Sequence, residues 1–131
     1  MIGLDTNVLV RYVMQDDPKQ ALKATALIES LTDDNPGFIT VISVLELYWV
    51  LTACYGLTND QVKQALDVLL RTRQIVVDRA DQVVRALRVF GTSKADFADC
   101  LIERTASSVG CEQTLTFDVN AAKYAGMTLI E

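Results

Sequence analysis

Histidine is absent from these 131 residues, and that absence removes more chemistry than any other feature of the sequence. It excludes a Ser-His-Asp triad, a Cys-His pair and a zinc site of the usual histidine-containing kind. Any catalysis must rest on carboxylates, hydroxyls, Lys, Arg or a bound metal. Cysteine is scarce: Cys54, Cys100 and Cys111 form neither a CxxC pair nor an even set. In a chain that is not exported, all three are expected to be reduced core residues. No apolar run approaches the roughly 18 residues of a membrane span. The start, Met1-Ile2-Gly3-Leu4, lacks the basic and then apolar regions of a signal peptide. The expectation is a cytoplasmic protein of one domain, residues 1–131.

What is present is apolar material and acid. Half of the residues are hydrophobic, ample for one core. The net charge of −5 is unevenly spread. Residues 1–70 hold four basic and nine acidic side chains, residues 71–94 six basic and two acidic, and residues 95–131 two basic and six acidic. Basic groups that converge near a metal can serve a polyanion even in an acidic protein. For the segment from Arg71 to Lys94, a solvated helix face is the better reading.

Strand and helix signals alternate along the chain. "MIGL", "FITV", "QIVV", "QTLTF" and "MTLI" read as strands. Between them, "DPKQALKATALIESL" has helical spacing with Pro18 in its first turn, and "ISVLELYWVLTACYG" reads as a helix ended by Gly56. "TNDQVKQALDVLLRT" follows with Thr58 as N-cap, "ADQVVRALRVFG" closes at Gly91, "ADFADCLIERTASSVG" closes at Gly110, and "DVNAAKYAG" is a short helix. Strands separated by helices imply an α/β fold with a mainly parallel sheet covered on both faces. Leu47, Tyr48, Trp49, Leu51 and Tyr55 hint at a partner groove, although core packing explains them better.

Several acids do not fit a solvated surface. Asp5 and Asp118 each follow an apolar strand run, which places them at carboxyl ends of strands, where open α/β sheets bind ligands. Each could equally cap the helix that follows. Glu46 shares a helix face with Ile42, Leu45 and Trp49; taken alone, it is best read as one half of a capping box, Ser43-x-x-Glu46. Asp96 and Asp99 stand three apart in a first helical turn, and Glu103 continues their face. The helix dipole suits one acid there but does not account for three.

Gathering carboxylates without a cation raises their pKa values and destabilises a fold. A hard divalent cation resolves the conflict: Mg²⁺ or Mn²⁺, one or two ions, takes oxygen ligands and needs no histidine. The hydroxyls of Thr6 and Thr116, each beside one of these acids, could orient them. Such a site suits phosphoryl chemistry.

"IGLDTNVLVRYV", "SVLELYWVL", "ADFADCLIERTA" and "TLTFDVNAAK" resemble, in order and spacing, the four acidic motifs of PIN-domain proteins, and most nearly those of VapC-type toxins of toxin–antitoxin pairs. The resemblance runs from Met1 almost to the end. It implies a PIN-like three-layer α/β/α fold with a central, mainly parallel sheet of four or five strands. It also implies a Mg²⁺- or Mn²⁺-dependent endoribonuclease that hydrolyses single-stranded RNA regions, frequent homodimers, and inhibition by a small antitoxin protein. Position by position, Asp5, Glu46, Asp99 and Asp118 match the four acids, Asp96 an auxiliary one, and Thr6 and Thr116 the hydroxyls beside the first and fourth. The implied metal ligands are Asp5 and Asp99, with Glu46, Asp96 and Asp118 as further candidates. Cys100 stands where alanine is usual. The alternative is a catalytically inactive PIN-like module that binds RNA or protein; a phosphatase or flap nuclease ranks below both.

Overall fold

The computed structural model of the chain describes residues 1–131. Two compact units divide it, Met1–Asp78 and Arg79–Glu131. No helix is long and apolar enough to cross a membrane.

In the first unit the order is β1 (Ile2–Gly3), α1 (Thr6–Met14), α2 (Pro18–Ser30), β2 (Gly37–Ile39), α3 (Val41–Trp49), a π-helical turn (Val50–Cys54), α4 (Asn59–Arg71) and β3 (Ile75–Val77). The strands form one parallel sheet in the order β1-β2-β3, with Ile2 opposite Gly37 and Gly37 opposite Ile75. They are short, but flanking bonds prolong them: the Leu4 N–H donates to Phe38 O (2.9 Å) and the Asp78 N–H to Ile39 O (2.8 Å). A Cβ at Gly37 would lie 2.8 Å from Leu4 Cδ1 and 2.9 Å from Leu31 Cδ1, so any larger residue there would make both leucine side chains shift. The helix starts follow the sequence closely. Asp17 caps α2 with Pro18 in its first turn, and Thr58 and Gln61 form a reciprocal capping box on α4.

The helix expected to run to Gly56 keeps its α form only as far as Trp49. Beyond it, the Tyr55 N–H reaches back five residues to Val50 O (3.3 Å), the mark of a π turn. Leu47, Tyr48 and Leu51 are core residues, whereas Trp49 is half exposed.

In the second unit α5 (Ala80–Thr92) packs on α6 (Phe97–Ser108), with Phe90 and Phe97 edge to face at 5.8 Å between ring centres. Then come β4 (Leu115–Thr116), α7 (Val119–Tyr124) and β5 (Thr128–Leu129), the two strands parallel with Leu115 opposite Thr128. All five expected strands are present and all pair in parallel, so the α/β class holds; three lie in one sheet and two in the other. The three cysteines are free, but only Cys100 is a core residue. Cys54 and Cys111 are exposed, because the π turn directs the first outward and the second lies past the end of α6 in the turn after Gly110.

Candidate active site

The first unit carries Asp5, Thr6 and Glu46. The sheet delivers the chain to Asp5, which is the N-cap of α1 and accepts a hydrogen bond from the Thr6 N–H at 2.8 Å. That is a partial cap: the bond reaches the first residue of the helix rather than the second or third, where a capping oxygen usually bonds. Asp5 is exposed and its Oδ2 has no hydrogen-bond partner. Thr6, by contrast, is buried, and its hydroxyl donates to Glu46 Oε1 at 2.7 Å. So the threonine beside the first acid holds the second.

Glu46 does not take part in a capping box. The N-cap of α3 is Thr40, whose Oγ1 accepts from the Ser43 N–H at 3.1 Å. With the helix starting earlier than the Ser43 motif requires, Glu46 falls in the second turn and its carboxylate faces the side of α1. A groove of about 580 Å³ contains both acids; its wall includes Asn7, Val10 and Arg11 of α1 and, from the π turn and the residue after it, Val50, Cys54 and Tyr55. π turns inserted in α-helices often lie at functional sites, and this one, with the residue after it, places three wall residues.

The second unit carries Asp96, Asp99, Thr116 and Asp118. Asp96 lies just outside α6 as its N-cap, accepting from the Asp99 N–H at 3.1 Å. Asp99 is therefore the acid within the first turn. Its carboxyl is pushed above the usual range, first by burial, then by the charges of Asp96 and Asp118. Asp118 caps α7, accepting from the N–H groups of Asn120 (2.8 Å) and Ala121 (3.2 Å) through one oxygen, while its own N–H donates to Thr116 Oγ1 (3.0 Å). The three aspartates thus share a field of uncompensated negative charge. Glu103 does not join them: it is buried, paired with Arg104, and covers Gly126. Its carboxylate is a structural member of the unit.

An oxygen-donor set of this kind fits a hard divalent cation, and Mg²⁺ in particular is held by one or two carboxylates plus waters and substrate phosphates. No three acids or cysteines are gathered closely enough to form a ready-made cage. No buried side-chain polar atom lacks a partner, so the interior itself calls for no ligand. What fits is open, partial ligation: in the first unit Asp5 and Glu46, and in the second Asp118, each use one oxygen within the protein and keep the other free. Arg11, on the wall of the first groove, is absent from the residues singled out on sequence grounds as functional, and Tyr55 is noted there only as one of five residues hinting at a partner groove. For Arg11 a signal existed, since Asn7 and Arg11 stand four apart on the helix that begins at Asp5.

An α/β fold with parallel strands and acids at the strand ends places polar groups where such folds bind ligands. A family model described as PIN domain matches residues 2–127, and the chain belongs to that family. PIN domains are generally nucleases and generally use divalent metal ions. No curated protein matches the chain by sequence.

Proposed function

We propose that the chain is a Mg²⁺- or Mn²⁺-dependent endoribonuclease acting on single-stranded RNA regions, with residues 1–131 working as one domain. The observation that supports this best is the groove in which Thr6 holds Glu46 beside Asp5, leaving each acid one free oxygen. Asp5 and Asp99 are the proposed metal ligands, with Glu46, Asp96 and Asp118 as further oxygen donors, and one or two ions. Bound there, the ion would supply positive charge against the phosphate and make a water molecule more acidic. The chain's own groups do the rest. Thr6 fixes the orientation of Glu46, whose free oxygen is available to accept a proton. Asp96 and Asp118 keep Asp99 in an electronegative setting that favours a cation.

The finer reading follows the likeness to VapC-type toxins: a cytoplasmic toxin, homodimeric, held inactive by a small cognate antitoxin. A non-catalytic RNA- or protein-binding module is the second reading, and the lack of a closely gathered three-acid cluster speaks for it. The two separate in one experiment. Purified chain is incubated with a labelled single-stranded RNA pool in Mg²⁺, in Mn²⁺ and in EDTA, with Glu46→Gln in parallel to exclude a contaminating nuclease. Cleavage that needs metal and falls in the variant is the expected result; binding without cleavage in any metal would favour the module.

A further inference from the structure

Arg11 stands where three grooves of the first unit meet. One is the acid groove. A second, of about 460 Å³ between α1 and α2, shares Asn7 and Arg11 with it and is further lined by Gln20 and Lys23 above Ala24 and Leu27. No carboxylate lines this second groove. The third, around Asp16 and Asp17, includes Lys19. Of the four basic residues before position 70, Arg11, Lys19 and Lys23 lie on these walls and Lys63 does not. The acid groove also carries Asp5 and Glu46 and the third groove Asp16 and Asp17, so only the groove between α1 and α2 has a basic lining without an acid.

The guanidinium is fixed in place before any ligand arrives. Its Nε donates to Gln20 Oε1 (2.8 Å), and its Nη1 donates to Tyr55 Oη (3.1 Å) and Asp16 Oδ1 (3.2 Å). Tyr55 in turn donates to Asp16 Oδ2 (2.7 Å). Nη2 has no partner among these bonds and stays available as a donor. Because arginine can only donate, Gln20 must accept through its oxygen, which leaves its amide NH₂ as another donor. Lys23 is exposed and makes no hydrogen bond or ion pair. One donor held in place, Arg11, and one free ammonium, Lys23, over a small apolar floor with no acid on this groove's own wall match the chemistry of a phosphate backbone.

We propose that the groove between α1 and α2 is a track for the phosphodiester backbone of single-stranded RNA, with Arg11 and Lys23 as its phosphate contacts, leading the strand to Asp5 and Glu46. The track rests on the ribonuclease reading but is tested apart from it. Binding of a fluorescent single-stranded RNA is followed by anisotropy over a NaCl series, in Mg²⁺. Every protein carries Asp5→Asn, so that the strand stays intact. Lys23→Gln should weaken binding several-fold and lower the slope of log affinity against log salt by about 0.7, the value of one lost phosphate contact on a single strand. Lys23→Arg should restore both. Arg11→Gln, with its thermal midpoint checked, should weaken binding further, and Lys63→Gln should leave it unchanged. Parental affinity and slope in Lys23→Gln would overturn the track and assign the groove to another occupant, such as an acidic protein segment. Metal-dependent cleavage by the parent chain is measured alongside. Cleavage with an unmoved slope overturns the track alone; a moved slope without cleavage overturns the nuclease reading alone.

Discussion

At the scale of single residues, the acids sort by what each oxygen does. Asp99 is the one whose ionised form the fold disfavours, through burial and then through Asp96 and Asp118. A carboxyl with a raised folded pKa holds its proton more tightly in the native state, so stability falls as pH rises from the unfolded value through the folded one. Above that window the penalty is complete. Asp99→Asn should therefore raise the melting temperature of metal-free protein at neutral pH, and the gain should disappear below about pH 3.9, where an ordinary aspartate is protonated. A lower melting temperature at pH 7 would contradict the assignment. Glu103 is the opposite case: buried and paired with Arg104, it stabilises. Glu103→Ala should cost about 1–3 kcal/mol in denaturant unfolding, the usual loss for a charged hydrogen-bonded partner. The cysteines divide as well. Burial pushes the Cys100 thiol up to about 11, and Cys54 and Cys111 are exposed. Native protein at mildly alkaline pH should take up two alkylating labels quickly and the third only on unfolding; mass spectrometry counts them.

At the scale of elements, the caps carry most of what the sequence could convey and also where it misled. Thr58 was legible because a capping residue acts through neighbours three positions away, and Pro18 because its fixed backbone angle suits a first helical turn. The Ser43-x-x-Glu46 pattern satisfied the same local rule, yet Thr40, just after β2, starts the helix first. Once α3 begins there, Glu46 is free to take the Thr6 hydroxyl from another helix, a contact forty positions away that no local pattern encodes. Thr40→Ala should therefore lower stability by about 1 kcal/mol. The π turn was illegible for a similar reason. Its residues are ordinary helix material, and its offset is tied down by Tyr55, which contacts Arg11 and Asp16. The Asp16 carboxyl is held below the usual range, chiefly by the Tyr55 hydroxyl. The clasp is thus intact at neutral pH and is lost only as pH falls through that lowered value.

At the scale of the whole molecule, alternation of apolar runs and helical patterns was enough to read five parallel strands and an α/β class, because strand and helix periods differ so plainly. How those strands divide between sheets was not legible, since each is only two or three residues long. Asp5, Asp96 and Asp118 all prove to be N-caps, as the plainer reading of Asp5 and Asp118 required, whereas Asp96 was expected one step later, within the first turn. Capping and metal binding are compatible, since a cap occupies one oxygen. They make different demands under substitution, however. Asparagine caps about as well as aspartate but carries no charge for a cation. The most direct test is therefore the Mg²⁺-dependent RNA cleavage rate of Asp5→Asn, read beside its melting temperature. The account predicts a rate lower by on the order of 100-fold or more with the melting temperature nearly unchanged. A rate equal to that of the parent protein would show that Asp5 is a helix cap and nothing more.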